Sequence, residues 1–142
     1  MDVTVRRAAA TDWKALAAID AIAAAGDAAR AEAIRRCCEQ GLVLTAEDAS
    51  QRLVGYVTVE YTFFDQGFVT MLMVDANARR QGIGRRLLHA AKTTCTTPKL
   101  FTSTNVSNLP MQQLLQRTGW SATGLLHGLD ESDPELFYLC DF

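Results

Sequence analysis

The sequence predicts an α/β fold, a mixed sheet with helices packed on both of its faces, and three observations lead there. Apolar residues recur at helical spacing up to about position 41 and change to strand-like alternation from Leu42 onward. Residues 68–74 are then apolar on both faces, which is the pattern of a central strand covered from each side. After that strand, helical and extended segments alternate to the C-terminus. With 142 residues, 49% hydrophobic and 21% charged, the chain has material for one domain, residues 1–142, with its own core.

Residues 3–8 read as the first strand. Asp12 is placed to N-cap a helix in which Trp13, Leu16, Ala17, Ile19, Ile22 and Ala23 keep helical spacing until Gly26 interrupts it. Asp27 caps a second helix with Ala31, Ile34 and Cys38 on one face, and Gly41 closes it. Residues 42–44 form a short strand, and residues 52–61 alternate with Leu53, Val57, Val59 and Tyr61 on one face. A turn around Asp65, Gln66 and Gly67 leads into the central strand. Beyond residues 79–84, Ile83, Leu87, Leu88, Ala90 and Ala91 form the apolar stripe of a helix. Pro98 precedes a strand at 99–104, and a helix over about 108–117 carries Met111, Leu114 and Leu115 before stopping at Gly119. Residues 120–127 and 135–142 pair as the last two strands around the acidic loop Asp130, Glu131, Ser132, Asp133 and Pro134.

A net charge of −2 gives no general attraction to nucleic acid or to an anionic membrane, so neither partner is expected and any anion site is local. The local basic cluster is Arg79, Arg80, Arg85 and Arg86. The first residues lack the basic-then-apolar order of a secretory signal and no stretch has the length of a membrane span, so a cytoplasmic location is expected. Cys37, Cys38, Cys95 and Cys140 lack paired metal-ligand spacing, and His89 and His127 are the only histidines. No metal is expected, and the adjacent Cys37 and Cys38 read as buried thiols.

Between the central strand and the next helix stands Arg79-Arg80-Gln81-Gly82-Ile83-Gly84. The first N–H groups of a helix lack intrahelical partners, the helix dipole favours negative charge there, and glycine lets an anion approach without a Cβ in the way. Such a turn suits a diphosphate, although a glycine pair alone equally fits a structural turn. Neither the dinucleotide fingerprint nor the phosphate-loop spacing is present.

These six residues resemble the [QR]-x-x-G-x-[GA] hallmark of the Gcn5-related N-acetyltransferase (GNAT) family. The flanking Leu72-Met73-Val74-Asp75 and Arg85-Arg86-Leu87-Leu88 are similar to its strand end and helix start. A second block, Asn108, Met111, Leu114-Leu115 and Gly119-Trp120, resembles the family pattern N-x-x-A-x-x-L-Y-x-x-x-G-F. The resemblance implies a mostly antiparallel sheet whose middle strands splay at a bulge, with acetyl-CoA as co-substrate in the opening beside residues 99–104. It further implies that the backbone of Leu72, Met73 and Val74 holds the pantetheine arm. Arg79, Arg80, Gln81, Gly82, Ile83, Gly84 and Arg85 would hold the diphosphate. Asn108 either contacts the pantetheine or thioester or is simply an N-cap. The implied reaction is acetyl transfer to a primary amine of a small molecule or peptide, by direct attack in a ternary complex. Oligomeric state is open, a homodimer included.

An alkyl amine with a pKa of about 10.4 is mostly protonated near neutrality, so the attack needs a proton acceptor. Two departures from the family pattern leave the acid and base open. Leu115 stands where many relatives carry a tyrosine that protonates the thiolate. Ser103 stands where relatives that acetylate protein N-termini often have glutamate. The candidates are Glu60 and Glu135, with Tyr138 as a replacement acid; their plainer readings are strand-end charges and a core aromatic. The loop acids form a soluble turn or draw in a cationic amine. The same departures leave a non-catalytic acyl-CoA-binding regulatory module as the alternative.

Overall fold

The computed structural model describes residues 2–142, so Met1 of the expected domain lies outside the described residues. Its strands are β1 (Val3–Arg7), β2 (Val43–Asp48), β3 (Leu53–Phe63), β4 (Gln66–Val74), β5 (Leu100–Asn105), β6 (Trp120–Leu126) and β7 (Glu135–Cys140). The α-helices are α1 (Trp13–Ile19), α2 (Ala21–Ala24), α3 (Ala28–Glu39), α4 (Ile83–Thr94) and α5 (Leu109–Arg117). The strands make a seven-stranded sheet in the order β1-β2-β3-β4-β5-β7-β6. Every neighbouring pair is antiparallel except β4 and β5. The mixed sheet with helices on both faces is as the sequence predicts.

Two apolar layers hold it. Between the sheet and α4 and α5 lie Val57, Ile83, Leu87, Leu88, Leu100, Leu115 and Trp120. On the opposite face Leu16, Ile34, Cys37, Cys38, Tyr56 and Met71 pack α1 and α3 onto the sheet. Each wholly buried leucine or isoleucine here contributes about 1.5–3 kcal/mol of transfer free energy. Burial pushes the Cys38 thiol up to about 11 and raises Cys37 as well. Both are therefore protonated packing groups, as their adjacency suggests. Among the described residues no helix is long and apolar enough to cross a membrane, and no His, Cys, Asp or Glu group gathers to hold a metal.

The helix expected after Asp12 differs from the structure in two ways. Asp12 makes no side-chain cap; its carboxylate accepts from Ala9 N at 2.8 Å and from Arg6, which hold it below the usual carboxylate range. The expected single helix breaks at Asp20, which is extended (ψ 119°) and caps α2 by accepting from Ile22 N and Ala23 N. Ile22, expected on the apolar stripe, is 45% exposed. Asp20 is wholly buried, accepts from the Tyr56 hydroxyl, and pairs with Arg30 at 3.0 Å. Burial alone would raise its pKa, but the bonds from Tyr56, Ala23 N–H and Arg30 outweigh that and hold the carboxyl low. Helical periodicity cannot register an aspartate whose partners come from a strand 36 positions away.

Smaller differences follow local chemistry. The β3–β4 turn is Phe64-Asp65, both at positive φ (52° and 61°), the two-residue geometry that matches strand twist. β2 runs on to Asp48 because Leu44 to Asp48 pair with Val3 to Arg7 of β1.

Candidate functional site

The centre of the sheet contains an irregularity that builds a cleft. Thr58 pairs with Met71 and the next residue, Val59, pairs with Val69, so Thr70 is an extra residue in β4. This bulge turns Val69 into the α4-side core and Met71 into the α1–α3 core, which explains why the strand reads as apolar on both faces. Thr58 Oγ1 and Thr70 Oγ1 meet at 2.6 Å beside it.

At the same level β4 and β5 part. Their parallel pairing covers only Gly67, Phe68 and Val69 against Leu100, Phe101 and Thr102. The Thr102 hydroxyl donates to Val69 O at 2.8 Å and fastens the last paired level. Beyond it β4 runs on unpaired on its β5 side. Asp75 N donates to Val54 O of β3, so by strand alternation Met73 also faces β3, while Leu72 and Val74 direct their N–H and C=O groups into the opening. A sheet interior thus holds a short free edge.

That edge ends at an anion-shaped turn. Asp75 caps a 3₁₀ turn over Ala76–Ala78 and accepts from Arg52 at 2.7 Å, fixing the end of β4. Arg80 and Gly82 both have positive φ (65° and 76°), and α4 begins at Ile83. Among the described residues the N–H groups of Gln81, Gly82, Ile83, Gly84 and Arg85 find no protein acceptor, while Arg86 N bonds Gly82 O at 3.1 Å as the first helical bond. A Cβ on Gly82 would meet nothing within 4 Å, so that space is open above the backbone; one on Gly84 would come 3.2 Å from Leu114, which keeps α5 close. Arg79 is exposed with Nε 3.4 Å from Val74 O, and Arg80 and Arg85 are exposed. Arg86 differs from the expected basic cluster, because its guanidinium donates to Val3 O of β1. Free amides, a positive-φ turn and three exposed arginines fit the diphosphate and arm of a coenzyme A thioester.

The remaining candidates separate. Asn108 Oδ1 accepts from Met111 N at 3.2 Å, the N-cap of α5. Tyr138 is 1% exposed on the core side with Leu115 and Trp120, whereas Glu60 and Glu135 belong to the opposite face. Glu60 is paired with Arg36 Nη1 at 3.1 Å on the α3 side. Glu135 accepts from Ser103 Oγ at 2.8 Å, at the level where β5 has left β4. Glu135 therefore stands beside the cleft, Glu60 lies across from Phe68 at a level where β4 and β5 still pair, and Tyr138 lies apart from both. The loop acids are anchored: Asp130 accepts from Asn105 Nδ2 and Asp133 from Ser107.

Sequence reading missed Thr70, because a bulge leaves no mark in an apolar run. It noted Ser103 only as a departure, although Ser103 is the group that orients Glu135. It also gave no role to the phenylalanines at 63, 68, 101 and 137, whose rings assemble only through the register of four strands.

Residues 10–120 match the family described as Acetyltransferase (GNAT) family. No curated protein matches the sequence significantly. Among solved structures, a GNAT-family acetyltransferase from Bacillus cereus ATCC 10987 is 28% identical over 99% of this chain and 98% of its own, with a TM-score of 0.91. A diaminobutyrate acetyltransferase from Paenibacillus lautus, solved with L-2,4-diaminobutyric acid and coenzyme A, is 18% identical over 98% and 95%, with a TM-score of 0.77. The NatC complex bound to Gag peptide and CoA is 17% identical over 100% of this chain and 99% of that chain, with a TM-score of 0.75.

Proposed function

Because the chain belongs to the acetyltransferase (GNAT) family, we propose that it transfers the acetyl group of acetyl-CoA to a primary amine by direct attack in a ternary complex. The observation that carries this reading is the free β4 edge at Leu72 and Val74 running into the unpartnered amides of residues 81–85. An extended pantetheine arm complements the edge as an added strand would, and the turn with Arg79, Arg80 and Arg85 complements the diphosphate.

In the reaction the amine nitrogen forms a bond to the acetyl carbon and the C–S bond breaks, giving an amide and the coenzyme thiol. Backbone N–H groups of β4 at the opening polarise the thioester carbonyl. Glu135, oriented by Ser103, takes the proton the amine must lose, directly or through water, and that proton returns to the departing sulfur through solvent. Glu60 is the weaker candidate, since Arg36 already engages it. Tyr138 drops from the acid role in this scheme because its ring is packed in the core on the far face.

Acetyl-CoA should raise the melting temperature, and Gly82→Asp should abolish that rise while the unliganded protein, strained at φ 76°, still unfolds cooperatively at a somewhat lower temperature. Unchanged binding in the variant would overturn the assignment of the turn. The second reading, an acyl-CoA-binding regulatory module, draws on Leu115, a wholly buried aliphatic where relatives place their acid. Thiol release measured over a panel of amines separates the two: binding without turnover on any amine selects the regulatory module.

A further inference from the structure

Five of the six phenylalanines of the chain lie in one cluster on the sheet face that holds Ser103 and Glu135. Phe68, Phe101 and Phe137 come from three adjacent strands, and Phe63 leans across them from the irregular end of β3. Its ring centroid is 4.8 Å from Phe68, 5.3 Å from Phe101 and 5.9 Å from Phe137, the last nearly parallel at 18°. Phe137 pairs with Ser103, so the aromatic floor reaches the level at which the cleft opens. The helix packing of this face falls on β3, and the rings remain half-buried. Beyond the floor stands a carboxylate rim: Glu135 on β7, then Asp130 and Asp133 in a loop tied to Asn105 and Ser107.

We infer that this floor is the acceptor subsite and that the acceptor is an amine carried on an apolar, aryl-sized body. The inference rests on the acetyltransfer reading above. Rings at the base and carboxylates at the rim complement an amphipathic cation: the body packs against the part of the Phe63–Phe101–Phe137 cluster left exposed while the rim attracts the ammonium toward Glu135, with the aromatic surface adding attraction for the cation. A second copy of the chain fits less well. Four half-buried rings plus Phe64, 84% exposed, present on the order of 500 Å2, below the roughly 800 Å2 that each partner of a stable interface contributes.

The test measures kcat/KM for 2-phenylethylamine, 2-methoxyethylamine and spermidine with the full chain at saturating acetyl-CoA. The aryl amine should exceed the methoxy amine by about tenfold or more, the scale of discrimination an apolar pocket gives. Phe137→Ala should remove most of that ratio by raising the KM of the aryl amine, with the KM of acetyl-CoA unchanged. Phe137→Leu, which keeps the apolar volume, should fall between and guards against a variant that does not fold. Equal or better turnover of the methoxy amine or spermidine would overturn the inference and leave acetyltransfer standing. Acetyl-CoA binding with no amine acetylated would overturn both. A Phe137→Ala variant that converts a dimer to a monomer in sedimentation, with the amine ratio unchanged, would assign the face to contact between copies and overturn the inference.

Discussion

The two halves of the sheet are made of similar strands and finished in opposite ways. β1 to β4 are covered by α1 and α3 on one face and by α4 on the other, and their buried carboxylates are partnered: Asp20 by Tyr56 and Arg30 inside the core, Asp75 by the exposed Arg52 at its edge. β5, β7 and β6 have α5 on one face and half-buried phenylalanine rings on the other, and their charged groups sit at a rim. The first half has the traits of a scaffold and the second those of a recognition surface. The cleft lies at the seam, where only three residues of each strand pair.

The comparison breaks most sharply at Asp20. Asp20→Ala leaves Arg30 and the Tyr56 hydroxyl without their buried partner and should cost about 3–5 kcal/mol in urea unfolding, against which a loss under about 1 kcal/mol would deny the scaffold its anchor. The same carboxyl sets a pH dependence. Its folded pKa is depressed, so its contribution is fully present above the ordinary carboxylate range and is lost as pH falls through the lowered value. The melting temperature should therefore fall on acidification below about pH 4, and Asp20→Asn should flatten that limb.

In the other half the expected effects are on turnover. Glu135→Gln should lower kcat by about 100-fold with the KM of acetyl-CoA unchanged, the usual scale for removing a general base. At the seam, Gly82→Ala forces a side chain to φ 76° and should strain the turn by about 1–2 kcal/mol, read as weaker acetyl-CoA binding with little change in amine preference. Ser103→Ala removes one hydrogen bond to Glu135 and should lower kcat by a few-fold at a stability cost of no more than about 1 kcal/mol, the worth of that single bond. Global destabilisation by Ser103→Ala would place that residue with the scaffold instead.

How far the sequence reached follows the same division. The change of period at Leu42, the both-faces pattern of residues 68–74 and the Arg79–Gly84 turn are local signals, and each element they predict is present. The break at Asp20 was hidden because its cause is tertiary: the partners lie on α3 and β3. Gly82 and Gly84 were legible as a strand-to-helix turn, present with Gly82 at positive φ, because backbone chemistry is written in residue type. Glu135 was legible only as a strand-end charge, since its link to Ser103 depends on the β5–β7 register. Phe63, Phe68, Phe101 and Phe137 are spread over 75 positions of sequence and meet only when four strands align.

On the proposed function, the seam between β4 and β5 receives the acyl donor's arm and diphosphate. Residue-resolved amide hydrogen exchange with and without coenzyme A tests it directly. Added protection at Leu72 and Val74 and across residues 81–85, with the amides of β6 unchanged, is the predicted result. Coenzyme binding that leaves those amides exchanging as before would place the arm and the diphosphate elsewhere on the protein.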